Sequence, residues 1–187
     1  MRTVLIIFCS LLSTGIFAQL EVGSTWYVRQ FEYNFLWPSK SYDTTQVIRV
    51  VKDTTINDLV YHRITGKCRC AGEYNFIRSQ GTRWYYRHQE ADHLLYDFSL
   101  VPGDTLKIWM PWKPSQQDSV YAIIDSIGTK VINGNTVAVQ YFSYGDLPSN
   151  FRADFGEYII KDIGSNSCLF PEYGLCENGT RPLLCYE

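Results

Sequence analysis

The stretch Leu94-Leu95-Tyr96-Asp97-Phe98-Ser99-Leu100-Val101-Pro102-Gly103-Asp104-Thr105-Leu106 narrows the possible folds more than any other part of the chain. Its centre, Val101-Pro102-Gly103-Asp104, fits a type II turn. Proline in second place presets φ, and glycine in third place enters positive φ with no Cβ to clash. Such a turn reverses the chain, so the runs on either side read as successive strands. The runs further out have the same character, which places this stretch in the middle of a sheet.

No segment keeps apolar residues at i, i+3, i+4 and i+7, the helical spacing. Short strands are expected instead at residues 25–33, 45–52, 59–64, 74–77, 83–87, 106–110, 120–124, 137–141 and 158–160. Asn57-Asp58 and Asn133-Gly134 read as hairpin tips, because Asn, Asp and Gly tolerate left-handed backbone. Thr55-Ile56-Asn57-Asp58 and Val131-Ile132-Asn133-Gly134 echo one another, as two similar hairpins and not as a solenoid repeat. The polar residues 88–93 read as a connection, residues 149–155 as a short helical turn, and residues 165–187 as a tail without periodicity. The aromatic fraction of 16% agrees with a half-buried pleated surface. The expected class is all-β: an antiparallel meander of hairpins forming a sandwich or curled sheet, with a Cys/Gly/Pro-rich C-terminal tail.

Residues 1–18 have a basic start, an apolar run and a small residue before Gln19, the pattern of a secretory signal peptide. Residues 19–187 then form a single extracellular domain, with no further run long enough to span a membrane. Losing Arg2 with the leader takes the formal net charge one unit below the full chain's −2. That balance argues against nucleic acid, which calls for a basic face, and gives no polybasic membrane signal. Export to the periplasm, cell surface or medium makes disulfides plausible for Cys68, Cys70, Cys168, Cys176 and Cys185. The odd count leaves one thiol over. Cys176 is expected to pair with Cys185, and Cys168 with Cys68 or Cys70.

Several phrases stand together: Leu94-Leu95-Tyr96-Asp97-Phe98-Ser99-Leu100 with Gly103-Asp104-Thr105, the Asp-Thr strand with its Ile-Asn hairpin, Lys161-Asp162-Ile163-Gly164-Ser165, and Leu183-Leu184-Cys185-Tyr186. As a set they resemble a family of exported β-rich proteins from Bacteroidota, over most of residues 47–186. The resemblance implies an extracellular β-rich module without an established activity. Family members often carry a C-terminal sorting domain of the type IX secretion system. None is expected here, where the sequence closes at Glu187. The resemblance also implies O-glycosylation at Asp-Ser/Thr pairs such as Asp53-Thr54 and Asp125-Ser126, which are equally common as turn and strand-edge pairs.

Little in the chain suggests a reaction. His88, Glu90, Asp92 and His93 sit in one short stretch. Five residues is an odd spacing, so on an extended chain the two histidines point to opposite faces and match no ligand motif. No metal or other cofactor is expected. Asp97 and Asp104 flank the Pro-Gly turn and are the one carboxylate pair open to a glycan-hydrolase reading. The aromatics carry more. Trp84 and Tyr86 share a strand face, and Trp109 and Trp112 flank Pro111. Exposed on a β surface they would stack on sugar rings or grip a protein; buried, they fill the core. The reading that follows is a non-enzymatic exported module binding a glycan or an envelope protein. A secreted hydrolase and a structural or adhesive surface component stand as alternatives.

Overall fold

The computed structural model describes residues 20–34, 40–66, 75–109, 119–132, 134–145, 153–154, 156–170, 172–173 and 180–186. Among them there is no helix, and the all-β expectation holds. The strands are β1 (Thr25–Asn34), β2 (Lys40–Ile56), β3 (Leu59–Thr65), β4 (Phe76–Gln80), β5 (Arg83–His88), β6 (Ala91–Asp97) and β7 (Thr105–Trp109). They continue as β8 (Ser119–Ile132), β9 (Asn135–Tyr144), β10 (Ala153–Asp154), β11 (Tyr158–Ile160), β12 (Gly164–Ser165), β13 (Glu172–Tyr173) and β14 (Thr180–Tyr186). One curled antiparallel sheet runs β14-β1-β2-β3-β4-β5-β6, and a second runs β12-β11-β9-β8-β7. β10 and β13 form a small separate pair. Within each large sheet the strands follow mainly as a meander.

The turns explain the meander. The Pro-Gly turn between β6 and β7 is closed by the Asp104 N–H donating to the Val101 carbonyl at 3.0 Å, with Gly103 at φ +94°. At the β2–β3 tip Asn57 and Asp58 take φ of 50° and 62°, as a tight two-residue hairpin requires. Ladder pairing then carries strands past their apolar runs. β2 and β8 extend to 17 and 14 residues, because in each hairpin the two arms satisfy one another's backbone. Of the helical turn expected at residues 149–155, the described residues Ala153 and Asp154 are instead a strand paired with Tyr173 and Glu172. The leader, Cys68, Cys70, Trp112 and Cys176 lie outside the described residues.

Side chains alternate as the pleat dictates. Leu106 and Ile108 of β7 point into the core while Thr105 and Lys107 face out, and Val120, Ala122 and Ile124 of β8 repeat the pattern. From the other sheet come Trp26, Val28, Ile48, Val50, Ile77, Trp84, Tyr86 and Leu95. One apolar core therefore lies between the two sheets.

Directional bonds fix how the parts meet. The Tyr96 hydroxyl donates to the Leu169 carbonyl and accepts from the Ser165 N–H at 3.0 Å, with the ring fully buried. Trp26 Nε1 donates to the Ile163 carbonyl at 2.7 Å. Gln140 Nε2, on β9, donates to the carbonyls of Leu100 and Asp97 at 2.9 and 3.2 Å. The end of the chain is drawn in as well: Leu169 and Phe170 are core residues, and the Leu183 N–H donates to the Asn166 carbonyl at 2.8 Å.

Burial raises the pKa of the Tyr96 phenol above its ordinary value of 10.0, partly offset by the Ser165 N–H. A raised pKa means that the folded state holds the proton more tightly. The stability that comes from burying the phenol in its neutral form is therefore complete below the ordinary value and is lost as pH rises beyond it. Tyr96→Phe leaves the Leu169 carbonyl and the Ser165 N–H unpaired in the core. It should cost about 1–3 kcal/mol, read as a lower urea midpoint at unchanged slope, and should flatten the alkaline loss of stability.

Candidate functional site

The tip of the β5–β6 hairpin gathers groups that are scattered in the sequence. Gln89 and Glu90 form a two-residue turn, with Gln89 at φ 54°. The chain reverses there, and His88 pairs with Ala91 while Tyr86 pairs with His93. Directly opposed residues of an antiparallel pair share a face, and so do residues two apart on one strand. Tyr86, His88 and His93 consequently lie on the same face. This corrects the expectation that the two histidines point apart, which holds only for an unbroken strand.

Trp109, the last residue of β7, completes the group. Tyr86 Oη donates to the Trp109 carbonyl at 2.7 Å and anchors that strand end. The Trp109 ring stacks on His93 with centroids 3.8 Å apart and planes 11° from parallel. His88 lies tilted against the same indole at 5.4 Å, and Tyr86 stacks beneath His93 at 5.4 Å. Together with Gln89, Glu90 and Ala91 they line an open depression of about 610 Å³.

The charge state of this site follows from its packing. Burial lowers the His93 pKa, and the neighbouring His88 lowers it further, against an opposing pull from Asp92. His93 is therefore neutral at pH 7 and offers one ring nitrogen as donor and one as acceptor. Glu90 is an exposed acceptor and Gln89 an exposed donor and acceptor. The depression thus combines an apolar ring with several hydrogen-bonding groups, the usual make-up of a small-molecule site. Among the described residues, no group of three or more His, Cys, Asp or Glu converges to hold a metal ion.

The other expected site residues divide. Trp84 is 2% exposed and Tyr86 0%. Neither offers a ring face to solvent, so the ligand-binding expectation for them is corrected to a core role. Trp84 packs edge-on to Tyr96 and Phe98, both at 5.7 Å. Trp109 is half-buried and lines the depression. Asp97, 2% exposed, accepts from the Ser99 N–H at 3.0 Å, from Ser99 Oγ, and from Arg83 Nε at 2.6 Å. Burial alone would raise its pKa; the bonds from Ser99 and Arg83 outweigh burial and hold it below the ordinary carboxylate value. Asp104 accepts from the Val101 N–H at 2.9 Å. Each carboxylate is thus engaged by the turn that carries it. Cys168 is buried beside Leu169 and Phe170. Cys185 lies in β14, and only its backbone is described.

Sequence reasoning passed over His88, Gln89, Glu90 and His93 as a solvated connection. The signal was present: two flanking runs separated by two polar residues imply a hairpin, and a hairpin reverses the facing argument. Among the described residues, no helix is long and apolar enough to cross a membrane. Searches against protein-family models, curated proteins and solved structures find no match to the chain.

The lowered His93 pKa makes folding sensitive to acid. Stability is complete above the unfolded value near 6.5 and falls as pH drops below it, because the unfolded chain then binds the proton more readily. Urea midpoints compared at pH 7.5 and 5.5 should fall for the wild type. In His93→Phe, which keeps the stack on Trp109, that fall should shrink.

Proposed function

We propose that this chain is a non-enzymatic exported β-module whose binding site for a glycan is the depression at the β5–β6 tip. One observation carries the reading: the Trp109 indole, two imidazoles, Gln89 and Glu90 converge on one open concavity. A sugar ring has an apolar face that packs on an indole and hydroxyls that exchange hydrogen bonds with imidazole, amide and carboxylate groups. Those are the groups on offer.

Binding without hydrolysis is favoured because Asp97 and Asp104 are both engaged in turn hydrogen bonds. Glycosidase chemistry asks for two carboxylates free to face one bond. Export is supported by the leader-like residues 1–18 and by the resemblance to secreted Bacteroidota proteins. A disulfide from Cys168 to Cys68 or Cys70 belongs to the same reading. It is supported by the burial of Cys168.

The test is binding of residues 19–187 to a panel of soluble and insoluble polysaccharides, by calorimetry and by pull-down. Trp109→Ala and His88→Ala/Glu90→Ala run beside the wild type, each checked by circular dichroism. The wild type should bind at least one polysaccharide. The double variant, which alters groups at the rim, should bind it about ten-fold more weakly, as expected for two lost hydrogen bonds. A folded wild type that binds none of the panel, or folded variants that bind equally well, would overturn the assignment.

A further inference from the structure

Among the described residues, the second half of β8 is unpaired along one edge. β7 covers β8 from Ser119 to Ile123. The Pro-Gly turn extends that cover by one residue, since the Ile124 N–H donates to the Asp104 carbonyl at 2.9 Å and the Ile124 carbonyl accepts from Gly103 at 2.8 Å. From there to Ile132, β8 pairs only with β9 among the described residues.

The direction of the free groups can be read from β9. The Ala138 carbonyl accepts from the Lys161 N–H at 2.9 Å, so the Ala138 backbone faces away from β8. Its cross-strand partner Thr129 must then face away from β9. By alternation Ile127 and Val131 do the same. Three residues therefore present N–H and C=O groups at the open edge. Their side chains share one face, where Ile127 is 49% exposed and Val131 71%.

Proteins usually blunt such an edge with charge, proline or a covering segment. Here the two charges of residues 125–132 are turned to neighbours. Asp125 accepts from Ser143 Oγ at 2.9 Å, and the Lys130 ammonium sits 4.0 Å from the centre of the Tyr158 ring.

We propose that this edge pairs with the same edge of a second copy of the chain, antiparallel across a two-fold axis. A two-fold contact must be self-complementary. Because 127, 129 and 131 are the residues that face outward, the register that uses all three sets Thr129 against Thr129 and Ile127 against Val131, twice. Apolar, threonine, apolar reads the same in both directions. The register forms about six backbone hydrogen bonds and two apolar cross-strand pairs. A slip by two residues sets Val131 against Asp125 and loses both pairs. With one charge of each sign per strand, the two copies do not repel. The contact is short and belongs to the small, transient class of interfaces, so the dimer is expected only at high protein concentration.

Thr129→Pro tests this directly. It removes an N–H that faces the open edge and none that pairs with β9, so the hairpin keeps its ladder. Val131→Lys is a second variant that leaves the backbone intact. Sedimentation of the wild type up to about 100 μM should show the mass rising toward twice the monomer's. Both variants, folded by near-ultraviolet circular dichroism, should stay monomeric. A wild type that remains monomeric across that range overturns the proposal, even if the edge then accepts a foreign peptide. So does a dimer that persists in either folded variant. Polysaccharide binding is a separate readout at a separate place.

Discussion

The fold depends on the hydroxyl of Tyr96. Burial of apolar side chains presses the two sheets together, but that force has no direction and would accept many relative placements. Tyr96 removes the freedom. It sits on β6, the last strand of one sheet, and its oxygen bonds the backbone at Ser165 of the other sheet and at Leu169 just beyond. A misplaced sheet would leave a phenol oxygen, an N–H and a carbonyl unpaired in an apolar interior, and each such group costs more than an ordinary bond returns. Trp26 and Gln140 repeat the device from β1 and β9. Three side-chain donors, all reaching backbone carbonyls, turn a general collapse into one arrangement.

Gly164 shows how far this constraint reaches into the sequence. Its φ is +107°, and a Cβ there would lie 3.0 Å from the Tyr96 oxygen and 3.1 Å from a Leu169 methyl. Three of the phrases singled out in the sequence meet around this place. Leu94 to Leu100 supplies Tyr96, Lys161 to Ser165 supplies the glycine and the Ser165 N–H that donates to the Tyr96 oxygen, and Tyr186 of the final phrase packs against Trp26 at 5.3 Å. The most recognisable words of the sequence are therefore the parts of a latch. They report how the chain is held together and say nothing of what it binds, since the residues lining the depression belong to none of them.

The same distinction explains what could be read in advance. The Pro-Gly turn and the Asn-Asp tip were legible because each depends on two residues and their backbone preferences. Long strands were legible only in part: the polar outer portions of β2 and β8 have weak strand signals of their own and are held by their hairpin partners. Trp84 and Tyr86 suited both core and ligand, because an alternating aromatic strand is identical in both cases until the second sheet is placed over it. His88 and His93 looked divergent because facing arguments assume an unbroken strand, and the reversal at Gln89-Glu90 lies between them.

The buried and exposed aromatics are also parts of one object. Tyr86 cannot touch a ligand, yet its hydroxyl holds the Trp109 carbonyl and its ring supports His93 from below. His93 in turn supports the indole across 3.8 Å. The stack runs from the core, where Phe170 meets Tyr86 edge-on, to the depression, where Trp109 and His88 meet solvent. A ring supported in this way loses little freedom when a ligand settles on it, which is the condition for a small contact to bind at all. The rigidity of the site is thus inherited from the core. That is why a sheet end, with a hairpin tip on one side and a strand terminus on the other, can present an ordered aromatic surface.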